Sequence, residues 1–76
     1  MSSNKLFVGN LSYSATKEHL VELFSGYGSV KYVKIFRDKR FGFVEMSSQA
    51  EAEKARVALS GYNFQGRMLN VDEVHL

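Results

Sequence analysis

The chain switches between two hydrophobic periods, two and 3.6, and the switches mark out its elements. Lys39 to Met46 is the clearest run of period two. Read as a strand, it sends Gly42, Val44 and Met46 to one face and Phe41, Phe43 and Glu45 to the other. Val and Met suit a core, but two phenylalanines on the opposite face break the hydrophobic-in, polar-out pattern of a half-buried strand. Lys5 to Asn10 repeats the arrangement, with Leu6 and Val8 against Phe7 and a Gly9-Asn10 stop. Val30 to Arg37 sets Val33 and Ile35 against Tyr32, Lys34 and Phe36. Val30 has the wrong parity, which requires either early contact with the core or a bulge. Arg37-Asp38-Lys39-Arg40 is a short polar hairpin connection. Arg67 to Val74 reads as the last strand, with Leu69 and Val71 inward and Met68, Asn70 and Asp72 outward.

Two helices interrupt the strands. Thr16 is the expected N-cap of the first. Leu20, Leu23, Phe24 and Tyr27 follow at i, i+3, i+4 and i+7, and Gly26 and Gly28 end the run. His19 stands where the acid of a capping box would be. Ser48-Gln49-Ala50-Glu51 has the Ser-x-x-Glu form of a capping box and opens the second helix. Its stripe is Ala52, Ala55 and Leu59, mostly small, and Gly61 stops it. The order β-α-β-β-α-β predicts an α+β, ferredoxin-like fold, with two helices on one face of a four-stranded antiparallel sheet. The helices cover one face only. Phe7, Tyr32, Lys34, Phe36, Phe41, Phe43, Met68 and Asn70 are left on the other.

Composition narrows the reading. Seventy-six residues make one domain, expected to span 1–76 with its core at about 5–74. There is no cysteine, which excludes a disulfide framework and thiolate metal sites. His19 and His75 stand apart with no ligand spacing, so no metal and no cofactor is expected. No apolar run approaches the ~20 residues of a membrane span, and Met1-Ser2-Ser3-Asn4 does not read as a signal peptide. The expected location is the cytoplasm, or the nucleus in a eukaryote. Net charge is only +2, but Lys31, Lys34, Arg37, Lys39 and Arg40 crowd one segment with a single acid, Asp38. Basic residues interleaved with Tyr32, Phe36, Phe41 and Phe43 are the pattern to weigh for nucleic acid. The bland alternative is a solvated strand edge.

Two stretches carry a resemblance. Leu6-Phe7-Val8-Gly9-Asn10-Leu11 and Lys39-Arg40-Phe41-Gly42-Phe43-Val44-Glu45-Met46 resemble the hexamer and octamer of an RNA-recognition motif. The wording of the octamer is similar to that of the small single-domain RNA-binding proteins of bacteria. Arg40 stands where the pattern has glycine, and Met46 where it has an aromatic. Met46 faces the core, so that exchange concerns packing. Arg40 leaves two readings open: a changed hairpin backbone, or an added phosphate or stacking contact.

The resemblance implies that Phe7 and Phe43 each stack under a base of single-stranded RNA and that Phe41 packs against a sugar or base. It implies phosphate contact by Lys39 and a structural role for Asn10 beside the hexamer. Lys5, Lys34, Phe36, Arg37 and Arg40 are further candidate RNA contacts, and Asn70 with Asp72 to His75 supplies candidate base-edge contacts. The physics agrees. Phenyl rings on a rigid sheet offer flat surfaces, and base stacking contributes about 1–3 kcal/mol per base. The hairpin between Phe36 and Phe41 is short for the family, so modest affinity is expected. No nucleophile, base and orienting group are arranged for catalysis, so the chain reads as no enzyme. It is expected to be monomeric and to bind a few nucleotides. The alternative is a protein-interaction or self-association module of the same fold.

Overall fold

The structure, a computed structural model, describes residues 3–74. Its elements are β1 (Lys5–Gly9), α1 (Lys17–Phe24), β2 (Val30–Phe36), β3 (Phe41–Met46), α2 (Gln49–Leu59), β4 (Asn63–Phe64), β5 (Arg67–Met68) and β6 (Asn70–Glu73). The main sheet runs β2-β3-β1-β6, each neighbour antiparallel to the next. β1 and β2 are therefore parallel with β3 between them, and β3 and β6 are parallel with β1 between them. A helix joins each parallel pair. The result is two interlocked split βαβ units, the ferredoxin-like arrangement, with β1 and β3 at the centre.

Both helices lie on one face. Leu20 and Phe24 of α1, and Ala52, Ala55 and Leu59 of α2, share a buried cluster with Leu6, Val8, Val33, Val44, Met46 and Val71. Each large side chain in it contributes about 1.5–3 kcal/mol of burial. Ile35 and Val30 are partly buried against this core. The parity problem at Val30 resolves as a bulge: the β2–β3 register shifts between Val30 and Tyr32. Tyr27 also packs on the core, but from the loop, because α1 ends at Phe24.

The caps carry two surprises. Thr16 Oγ1 accepts from the His19 N–H at 3.1 Å, and His19 Nδ1 accepts from the Thr16 N–H at 3.2 Å. A histidine thus completes the capping box. At α2, Ser48 Oγ accepts from the Glu51 N–H at 3.2 Å, but the return bond is not made. The Glu51 carboxylate accepts instead from the Ser29 N–H at 3.1 Å and from the Ser47 hydroxyl. Glu51 thereby ties the loop before β2 to α2 instead of closing the capping box.

Expected strand boundaries are corrected at three places along the chain. β1 stops at Gly9 because Asn10 has a left-handed backbone, φ 63°. β2 stops at Phe36 and β3 starts at Phe41, because Arg37–Lys39 form a 3-10 turn and Arg40 is left-handed at φ 58°. Lys39 and Arg40 are therefore turn residues, not strand residues. The last strand is split. Arg67–Met68 pairs with Asn63–Phe64 in a separate ribbon, and only Asn70–Glu73 joins the sheet. Leu69 marks the break, since its N–H and C=O bond to Tyr62 and Gly61 instead of to β1. Met68 consequently belongs to the ribbon and not to the open face of the sheet. The ribbon rests on the start of α1, where Gln65 Nε2 lies 3.0 Å from His19 Nδ1 and Phe64 meets the His19 ring edge-on.

Candidate nucleic-acid interface

The register of the two central strands builds the open face. Phe7 stands opposite Phe43, Lys34 opposite Phe43, and Phe36 opposite Phe41. Residues directly opposite in an antiparallel pair share a face, so these side chains must meet. They form a contiguous quartet: Phe36 and Phe41 have ring centroids 5.2 Å apart, Phe7 and Phe41 5.4 Å, Phe41 and Phe43 5.7 Å, and Phe7 and Phe43 6.0 Å. The rings are tilted or edge-to-face, which leaves them half-buried with ring surface toward solvent. No element among the described residues covers them.

Two glycines make this geometry possible. A Cβ on Gly9 would come within 2.8 and 3.0 Å of the Phe7 ring carbons, so Phe7 leans back over its own strand. A Cβ on Gly42 would meet the Lys34 carbonyl oxygen at 2.5 Å, so this octamer position has no room for a side chain between β3 and β2.

The expected polar residues divide by position. Lys34 stays on the face, with Nζ 5.1 Å from the Phe36 ring centroid. Lys5 stands opposite Glu45 and shares a groove with Phe43. Asn70 stands opposite Gly9, at the far edge from β2. Lys39 is exposed in the turn, beyond the strands. Arg37, in the turn just after β2, lines a hollow with Lys17, Tyr32 and Lys34 that none of the four phenylalanines lines. His75 lies outside the described residues.

Arg40 does not change the hairpin backbone, and its stacking contact is made within the chain. Its backbone occupies the left-handed region that glycine favours, and its guanidinium sits 4.0 Å from the centre of the Tyr13 ring. Tyr13, 57% exposed, was missed in the sequence because it falls in a loop with no periodicity. Its partner is set by the bond from the Leu11 N–H to the Arg40 carbonyl at 2.8 Å, which brings the two loops together. Asn10 is structural, as expected. Its Nδ2 donates to the Met68 carbonyl at 2.7 Å, and its Oδ1 and carbonyl accept from Arg67 at 3.1 and 3.2 Å.

No metal-binding cluster of acids or histidines exists among the described residues, and no helix there is long and apolar enough to cross a membrane.

Known proteins share this arrangement. The putative RNA-binding protein RbpE of Nostoc sp. is 45% identical over 74 residues, covering 90% of this chain and 75% of its own length. The 29 kDa chloroplastic ribonucleoprotein of Arabidopsis thaliana is also 45% identical, but this chain spans only 22% of it. A crystal structure of RNA binding protein PG1 superimposes with a TM-score of 0.84 at 37% identity, covering 95% of this chain and 94% of that one. The family pattern of the RNA recognition motif matches residues 6–70. With its two strand motifs side by side at the centre of a ferredoxin-like sheet, the chain belongs to the RNA recognition motif family.

Proposed function

We propose that residues of about 5–74 act as one module that binds single-stranded RNA across the open face of the sheet. Phe7 and Phe43 each carry one base, Phe41 packs against the sugar between them, and Phe36 extends the apolar floor toward β2. Lys5, Lys34, Lys39 and Arg40 meet phosphates, and Asn70 offers amide contacts to a base edge. The observation that carries the reading is the phenylalanine quartet, half-buried on the face opposite both helices. A packed second core would need a covering layer, and a solvated face would not collect four phenyl rings. The family and the names of the relatives support the same ligand.

The test is a titration of the domain with a degenerate short RNA pool, read by fluorescence anisotropy and by amide NMR shifts. Phe7→Ala and Phe43→Ala should each weaken binding by about 5- to 150-fold, the value of one stacked base, with the fold retained. Shifts should centre on Phe7, Phe41, Phe43 and Asn70. Unchanged affinity in two folded variants overturns the reading. Sedimentation without RNA should show a monomer. A concentration-dependent dimer that shields the phenylalanines would favour self-association instead.

A further inference from the structure

The open face is not uniform. At the end of the sheet away from the hairpin turn lies a groove of about 320 Å3, lined by Lys5, Tyr32, Lys34, Phe43, Glu45 and Val74. This is within the range of small-ligand sites, about 300–1,000 Å3. Glu45 stands at its centre, opposite Lys5 on β1 and Tyr32 on β2. It lies two residues beyond Phe43 on the same face, about 7 Å along the strand. A base stacked on Phe43 therefore has its edge within reach of this carboxylate.

The polar chemistry of the groove is unusual for an RNA surface, because a carboxylate there repels phosphate. Glu45 makes no hydrogen bond or ion pair among the described residues, although two lysines line the same groove. An ionised carboxylate only accepts, and lysine ammonium groups only donate. The occupant must then present donors to Glu45 and acceptors to the lysines.

The four bases differ sharply on this point. Guanine offers N1–H and the N2 amine side by side, a pair that fits both oxygens of one carboxylate. Its O6 and N7 are acceptors for lysine. Adenine and cytosine each present one amine next to a ring nitrogen that repels a carboxylate. Uracil presents one N–H between two carbonyl oxygens. Resting on the reading of the sheet as an RNA platform, we propose that this groove is a guanine subsite. In it Glu45 accepts from N1–H and the N2 amine, Lys5 or Lys34 donates to O6, and Phe43 stacks beneath the ring.

Labelled uridine nonamers carrying one central G, A, C or inosine test this at a single salt concentration. The nonamer is longer than the site, so the odd base can slide into register. The guanosine oligomer should bind about ten-fold tighter than the A, C and all-U oligomers. Inosine, which lacks only the N2 amine, should lose at least three-fold of that preference. Glu45→Gln turns one acceptor into a donor and should bring the G-to-U ratio close to one. Inosine needs no variant, so its result stands whatever Glu45→Gln does to the fold. A wild-type domain that does not prefer guanosine, inosine equal to guanosine, or a preserved preference in Glu45→Gln each overturns the subsite. Failure of every nonamer to shift Phe7 and Phe43 has a different meaning: the sheet reading itself falls, and the subsite with it.

Discussion

Gly9→Ala separates the posture of the Phe7 ring from its presence. The added methyl would lie 2.8 and 3.0 Å from two Phe7 ring carbons, where ordinary contact begins near 3.4 Å. The ring has to give by about half an ångström or swing off its rotamer, at a cost of roughly 0.5–1.5 kcal/mol. Replacing glycine returns about 0.4–1 kcal/mol through the unfolded chain. Net stability should therefore stay within about 1 kcal/mol of wild type. Binding should suffer far more, because a base stacks on a ring face of fixed tilt. Losing much of one stacking interaction, about 1–3 kcal/mol, corresponds to roughly ten-fold or more in affinity. The assay is anisotropy with a short single-stranded RNA, run as a cycle with Phe7→Ala. In the Phe7→Ala background, Gly9→Ala should change nothing further, since there is no ring to push. An equal loss in both backgrounds, or no loss in wild type, refutes the reasoning that Gly9 is kept bare for Phe7.

Asn10→Ala should lower stability by about 2 kcal/mol, from lost hydrogen bonds to Met68 and Arg67 and from a left-handed backbone; a denaturation midpoint within error of wild type contradicts this. Tyr13→Ala should cost about 0.5–1 kcal/mol in the wild type and nothing in an Arg40→Gly background, as measured by urea unfolding of all four proteins. Removing the charge of Lys39 should weaken RNA binding at low salt and reduce the logarithmic salt slope by about 0.7, the value of one phosphate on a single strand. The Glu51 carboxyl is held below its ordinary value mainly by the Ser47 hydroxyl; desolvation opposes this, and the Ser29 N–H reinforces it. Its contribution to stability is therefore full above the ordinary carboxylate range and is lost as pH falls through the lowered value, so Glu51→Gln should flatten acid unfolding measured by circular dichroism.

The sheet and its two faces could be read directly from residue order, because alternation at Leu6-Phe7-Val8 and Phe41-Gly42-Phe43-Val44 leaves a strand one choice of side. The helices were equally legible from Leu20, Phe24, Ala52, Ala55 and Leu59. What escaped was set by contacts between segments distant in sequence. The stretch after Gly61 looked like one strand because Arg67 to Val74 alternates well. It splits because the turn at Gln65 and Gly66 folds Arg67–Met68 back onto Asn63–Phe64 before the chain reaches β1. The partner of Tyr13 depends on two loops meeting through Leu11 and Arg40, and no local pattern encodes that. The second half of the Ser48 capping box failed because Glu51 found better donors 22 residues upstream and at Ser47. Within the interface, the phenylalanines follow from the alternation of the central strands, whereas the position of Arg37 is set by the 3-10 turn that ends β2.

The connection between β2 and β3 is a single 3-10 turn of Arg37–Lys39 closed by Arg40. A turn that short does not fold over the platform, so the turn would not have to lift before a bound strand departs. On the proposed reading, departure is not gated by this turn and is set by the stacking and phosphate contacts together. With association at about 10^6–10^7 M−1 s−1, a micromolar complex lives for roughly a tenth of a second to a second. An RNA-binding module built this way would exchange partners quickly and sample many transcripts, and prolonged occupancy of any one of them would require a second copy or a second contact on the same strand.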